Sequence, residues 1–262
     1  MKKLRYQRRQ SRSAIWALRL GLLAAFLLTA AFVLHRFWRL ETPDFFIAAA
    51  ICFVLAMLAL ICAARGLRNL WVHGDKGGMR SSAAVILALI VLMPLLSFGA
   101  FWLRSPPFYD VSTDLETPPQ FPADMPQRLS FMNPLTSRVS GDAVTQFIVY
   151  PDVIGRRYEA APDRVAEGVI NVLKHFGWQV VASNVSVQEA GAVSFVATAH
   201  SLLLGLKSDV VIRLLDEGET TYVDMRSLSR YGTRDMGQNA ALITEFLGAL
   251  EGEVNKAPAD VE

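Results

Sequence analysis

Up to about residue 104 the apolar positions of this chain run together; beyond it they alternate or recur at helical spacing. Residues 15–34, 45–64 and 83–102 form three apolar runs, each near the ~20 residues that carry a helix across a bilayer core. Arg19 is the only charge inside them, one turn into the first run, where its long stem reaches the headgroup layer. Pro94 predicts a kink in the third helix, tolerated in a membrane bundle. Gly21, Ala25 and Thr29 on the first helix, echoed by Ala84 and Ala88 on the third, predict close packing among the chain's own helices.

The pattern then changes. Residues 105–146 hold Pro106, Pro107, Pro118, Pro119, Pro122, Pro126 and Pro134, a density that prevents regular helix and favours extended chain. The interleaved Phe108, Tyr109, Leu115, Phe121, Leu129 and Phe131 are too apolar for a free linker, so this lead-in is expected to lie on the folded domain. Residues 147–150, ended by Pro151, read as an edge strand. Residues 162–176 read as a helix with Pro162 in its first turn, Gly177 as its stop, and Val165, Val169, Val172, Leu173 and Phe176 in one stripe. Residues 178–183 and 193–201 read as strands joined by a polar turn with Asn184 and Gly191.

The stretch 207–250 carries the clearest pattern. Val210, Ile212 and Leu214 alternate with Asp209, Val211 and Arg213, and Asp216-Glu217-Gly218-Glu219 supplies a hairpin turn. The predicted register sets Leu214 opposite Thr221, Ile212 opposite Val223 and Val210 opposite Met225 on one face. On the other it sets Arg213 opposite Tyr222, Val211 opposite Asp224 and Asp209 opposite Arg226, with Arg213 diagonal to Asp224. A helix follows, with Asp235 as N-cap, Gln238 as its capping-box partner and Ile243, Phe246, Leu247 and Leu250 as its stripe. Residues 253–262 are polar and read as a disordered tail. The order strand, helix, four strands, helix predicts the fold class: an α-helical membrane anchor of three transmembrane helices over 1–104, then a two-layer α+β domain over 147–252, an antiparallel sheet with two helices.

Charge sharpens this division. Residues 1–104 hold 14 Lys and Arg against 3 Asp and Glu; residues 105–262 hold 12 against 21. An acidic second half excludes a nucleic-acid surface, which needs a basic footprint. The basic residues of the first half lie in the tail (Lys2, Lys3, Arg5, Arg8, Arg9, Arg12) and the second loop (Arg65, Arg68, Lys76, Arg80), against Arg36 and Arg39 in the first loop. The positive-inside rule then predicts a multi-pass protein of the bacterial inner membrane with a cytoplasmic N-terminus and a periplasmic C-terminal domain. The rival reading, a cleaved signal peptide at the first run, is disfavoured by the run's length and its lack of a small-x-small cleavage site. Cys52 and Cys62 lie in an apolar run, so no disulfide framework is expected.

The second half resembles a mainly bacterial family of unknown function, DUF1499. The resemblance rests on Asp110-Val111-Ser112-Thr113-Asp114 with Pro118-Pro119, Tyr150-Pro151-Asp152, Ser208-Asp209-Val210-Val211-Ile212-Arg213 and Val223-Asp224-Met225-Arg226-Ser227-Leu228-Ser229-Arg230, continued by Gly232, Asp235, Gly237, Asn239 and Ala240. It implies no activity.

No catalytic motif, cofactor motif or metal-ligand spacing is found; His35, His73, His175 and His200 are not spaced with one another or with a cysteine for ligation. The best candidate site is an anion site on the loop into the last helix, with Arg226, Ser229, Arg230, Thr233, Arg234 and Asn239 as its groups. The competing structural reading makes ion pairs of Asp209, Arg213, Asp224, Arg226 and Asp235, with Arg226 on Asp209 and Asp235 holding an arginine while capping the helix. The expected function is a non-catalytic binding or assembly module. Its partners would be the lipid bilayer and an anionic small molecule, lipid headgroup or envelope protein. The alternative is an envelope hydrolase or transferase acting on an anionic substrate through Asp209, Asp224 or Asp235.

Overall fold

The computed structural model describes residues 9–38, 40–122, 125, 128–129, 131–135, 143–186, 192–201 and 204–256. Lys2, Lys3, Arg5, Arg8, Arg39, Pro126, Gly191 and the last six residues of the tail lie outside these. The chain forms two compact units, Met1–Leu103 and Arg104–Glu262.

In the first unit the three apolar runs form helices α1 (Arg12–Phe37), α2 (Thr42–His73) and α3 (Gly78–Arg104). Each is long and apolar enough to cross a membrane. Small residues fill the space between them: Ala14, Ala17, Ala24, Ala56, Ala59, Ala63, Ala84 and Ala88 are buried, while large side chains such as Phe26, Ile47 and Ile90 point outward. A Cβ on Gly21 would lie 3.3 Å from the Leu87 Cβ and 3.5 Å from the Ala84 carbonyl oxygen, so this glycine faces α3 inside the bundle.

The second unit is built on one antiparallel sheet of six strands. They are β1 (Asp110–Ser112), β2 (Arg156–Tyr158), β3 (Gln179–Ser186), β4 (Ala192–His200), β5 (Lys207–Asp216) and β6 (Thr221–Ser229), with helices α4 (Ala143–Val149), α5 (Pro162–His175) and α6 (Gln238–Val254). The strand order is β1-β6-β5-β4-β3, and β2 also pairs with β6. β1 and β2 thus lie end to end along one edge of β6, at Ser112↔Arg226 and Arg156↔Val223. Val165, Val169, Val172 and Leu173 of α5 and Ile243, Phe246, Leu247 and Leu250 of α6 pack on Phe195, Val210, Ile212, Leu214, Val223 and Met225.

Several expectations are corrected. The run 147–150 is not an edge strand but the end of α4. Its edge position is taken by a side chain instead: the buried Gln146 amide accepts from Ser112 N at 3.3 Å and donates to Ser112 O at 2.8 Å, extending the β1 ladder. The proline-rich lead-in contributes a strand, because 110–112 precedes its second proline cluster and keeps every amide. Among the described residues the sheet therefore has six strands rather than five. The β5–β6 hairpin is shifted by two residues: Asp216 faces Thr221, Leu214 faces Val223, Arg213 faces Asp224, Val211 faces Arg226 and Asp209 faces Leu228. The loop is 217–220, fixed by Gly218 N donating to the Asp216 carboxylate at 2.8 Å and by the left-handed Gly218 (φ 90°). A two-residue shift keeps every side chain on its face and changes every partner. α6 begins at Gln238, later than Asp235, and passes the Gly252 boundary to Val254.

Candidate functional site

The face of the sheet turned away from α5 and α6 carries charge. In register terms it bears Ser194 and Thr198 of β4, Asp209 and Arg213 of β5, Asp224 and Arg226 of β6 and Asp110 of β1. All seven are buried, Arg226 to 1 % exposure. Segments of the lead-in cover them: Arg213 donates to Thr117 O at 2.9 Å, Arg226 donates to Pro119 O at 3.2 Å, and the Phe121 ring lies 5.4 Å from the Arg226 guanidinium.

Three sets of charges are arranged there. Arg226 is bidentate on Asp110, Nε to Oδ1 at 2.9 Å and Nη2 to Oδ2 at 2.7 Å. Arg213 bonds Asp224 through Nε at 3.1 Å and through Nη2, which also reaches Asp114 at 3.3 Å. Asp209 accepts from Arg230 at 2.7 and 3.0 Å, from Arg128 and from Thr198 at 3.2 Å. The planar guanidinium fork suits each carboxylate. The Arg226–Asp209 pair expected from the sequence is thereby replaced: Arg226 belongs to Asp110 and Asp209 to Arg230 and Arg128.

Burial pushes the Asp224 carboxyl above its ordinary range, against the opposing pull of Arg213. Burial also pushes Asp114 upward, but bonds from Thr117 and Glu116 and the charge of Arg213 outweigh it and hold that carboxyl low. Burial depresses the Arg128 guanidinium, opposed by Asp209.

The loop into α6 is tied down on both sides. Ser229 N donates to Tyr109 O at 2.7 Å, Asp235 N to Phe108 O at 2.8 Å, and Arg234 to Ser105 O. Asp235 caps the helix from three residues before it, accepting from Gly237 N at 3.1 Å and Asn239 N at 2.7 Å. Among the described residues its partners are amides rather than an arginine, and Gln238 donates to Leu206 O rather than closing a capping box. Burial lifts the Asp235 carboxyl, with those amides opposing. The buried Asn239 accepts from Ser227 Oγ at 2.8 Å and donates to Ser229 Oγ and Tyr109 O, both at 3.0 Å.

The six candidate anion-site residues are therefore not gathered in one place. Arg226 and Arg230 lie on the ionic face, Ser229 and Asn239 on the helix-facing side, Arg234 reaches the start of the lead-in, and Thr233 is exposed. The sequence reading missed Asp110, Asp114 and Arg128 as charge partners; the first two stand in the motif Asp110-Val111-Ser112-Thr113-Asp114, which was the available signal. Among the described residues no cluster of three His, Cys, Asp or Glu could hold a metal ion.

A family model described as "Protein of unknown function (DUF1499)" matches residues 110–250. No curated protein matches the chain. Among solved structures, TTHA0849 from Thermus thermophilus is similar at 16 % identity over 38 % of this chain and 93 % of that one, with a TM-score of 0.24, too low to carry an argument.

Proposed function

The chain belongs to the DUF1499 family of proteins of unknown function, and on that premise we propose that it is a multi-pass inner-membrane protein whose periplasmic α+β domain is a non-catalytic binding or assembly module. The observation that carries this reading is the occupancy of the carboxylates. A general acid or base needs a carboxyl free to meet substrate. Asp209 is held by Arg230 and Arg128, Asp224 by Arg213 and Asp235 by two helix amides. The ligand or partner is an anionic small molecule, a lipid headgroup or an envelope protein.

The test is a thermal-shift screen of anionic metabolites and lipids on the full chain in detergent, run beside a hydrolase and transferase panel. A ligand that stabilises without being turned over supports the module. Turnover abolished by Asp209→Asn or Asp224→Asn overturns it. The orientation rests on the basic tail and second loop. C-terminal phosphatase and fluorescent-protein fusions should give phosphatase activity without fluorescence, and the reverse would place the domain in the cytoplasm.

A further inference from the structure

A second cluster of arginines, in the membrane unit, differs from those of the sheet: among the described residues its guanidiniums bond no carboxylate, although Asp75 lines the same cleft. A cleft of about 520 Å³ opens where α1 begins and α2 ends, lined by Arg9, Arg12, Asn69, His73 and Asp75 among others. Its wall is built: Lys76 N donates to Arg9 O at 2.8 Å, Ser11 N to Lys76 O at 3.0 Å, and Arg80 bonds the Gln10 side chain at 3.4 Å. The segment before α1 is thus fixed against the loop between α2 and α3. Among the described residues neither the Arg9 nor the Arg12 side chain has a hydrogen-bond or ion-pair partner. The positive end of the α1 dipole adds to their field.

The depth of the cleft points to its occupant. Arg12 stands three residues before the first apolar run and His73 closes α2, so the cleft sits at the end of the spanning segments. Trp16 near the start of α1 and Trp71 near the end of α2 are 55 % and 91 % exposed, and indole rings are enriched in the interfacial layers of a bilayer. Guanidiniums at the end of a membrane span are within reach of lipid phosphates, and the volume lies in the range of small-molecule sites. We propose that the cleft binds a phosphate group, and that its source is the headgroup of an anionic phospholipid. The inference rests on reading the three helices as membrane spans.

The experiment uses the full chain extracted in mild detergent. Native mass spectrometry counts retained lipid after exchange into phosphatidylglycerol or phosphatidylcholine, and thermal shift compares phosphatidylglycerol with inorganic phosphate. Wild type should retain phosphatidylglycerol over phosphatidylcholine by at least roughly fivefold. Arg9→Gln with Arg12→Gln should lose that preference, while Arg65→Gln with Arg68→Gln, which removes as much charge from the same end of the bundle, should keep it. Equal loss in both variants, or no preference in wild type, would overturn the site. An equal thermal shift with inorganic phosphate would overturn the lipid source. Carbonate washing of membranes separates the premises: release of the chain sinks the membrane reading, whereas retention without lipid preference sinks only this site.

Discussion

The two faces of the sheet are buried equally and held together differently. Toward α5 and α6, Ile212, Leu214, Val223 and Met225 meet Ile243, Phe246 and Leu247, a contact that is non-directional and scales with area. Toward the lead-in, Arg213, Arg226 and Asp209 meet partners whose worth depends on geometry and on every lone pair being met. The first kind of burial degrades by degrees. The second fails when one member is lost, because its partner stays behind as a buried charge.

Four predictions test this contrast. The largest effect belongs to Arg226→Ala, which takes the bidentate guanidinium from Asp110, a carboxylate at 0 % exposure, and should cost about 3–5 kcal/mol. Urea-dependent proteolysis of the full chain in detergent would read it. Replacing both partners, Asp110→Leu with Arg226→Met, should be far milder than the two single losses added, and strict additivity would mean the pair is not coupled. On the apolar face Ile243→Val should cost only ~0.5–1.5 kcal/mol, with no dependence on any partner substitution. A loss as large as that of Arg226→Ala would erase the distinction.

The third prediction concerns two acids on one arginine. Asp114 is held below its ordinary value, so its contribution is present above the unfolded carboxylate pKa of ~3.9 and is lost as pH falls through its folded value. Asp224 is raised by burial, so its contribution is full below that pKa and declines as pH rises through its folded value. Carboxyl NMR titration should find Asp224 titrating above Asp114, and the deficit of Asp114→Asn at neutral pH should close in acid. A deficit constant from roughly pH 2 to 6 would contradict the assignment. The smallest effect is expected at Arg157 and Glu217, an exposed pair whose arginine lies over the Tyr222 ring: removing either should leave the denaturation midpoint unchanged within error.

How far the sequence could be read follows the range of each interaction. Three apolar runs, the stripe Val165–Val169–Val172 and the stripe Ile243–Phe246–Leu250 are local patterns, and each became the helix it specifies. Alternation in 209–214 told the two faces apart, but a period of two cannot separate one register from another two residues away. The Asp216 side chain decided that, through a bond to Gly218. The partner of Arg226 lies at Asp110 and the second partner of Arg213 at Asp114, more than ninety residues upstream, so no spacing announces them, whereas Asp224, the nearer partner of Arg213, was legible in the hairpin. The run 147–150 misled because its apolar side chains Phe147 and Ile148 are exposed, at 60 % and 71 %, and its one buried neighbour is the polar Gln146.

The place of β1 has a consequence in time. A chain made from its N-terminus produces Asp110 first and the Arg226 that completes it 116 residues later. The sheet's outer edge therefore closes last, by a contact of high sequence separation, the kind that slows folding. Until then the lead-in waits as unpaired extended chain, a form that invites pairing with neighbouring molecules. Pro118, Pro119 and Pro122 lack the amide such pairing needs. These prolines guard the stretch beyond β1, while 110–112 keeps its amides for the strand that arrives last.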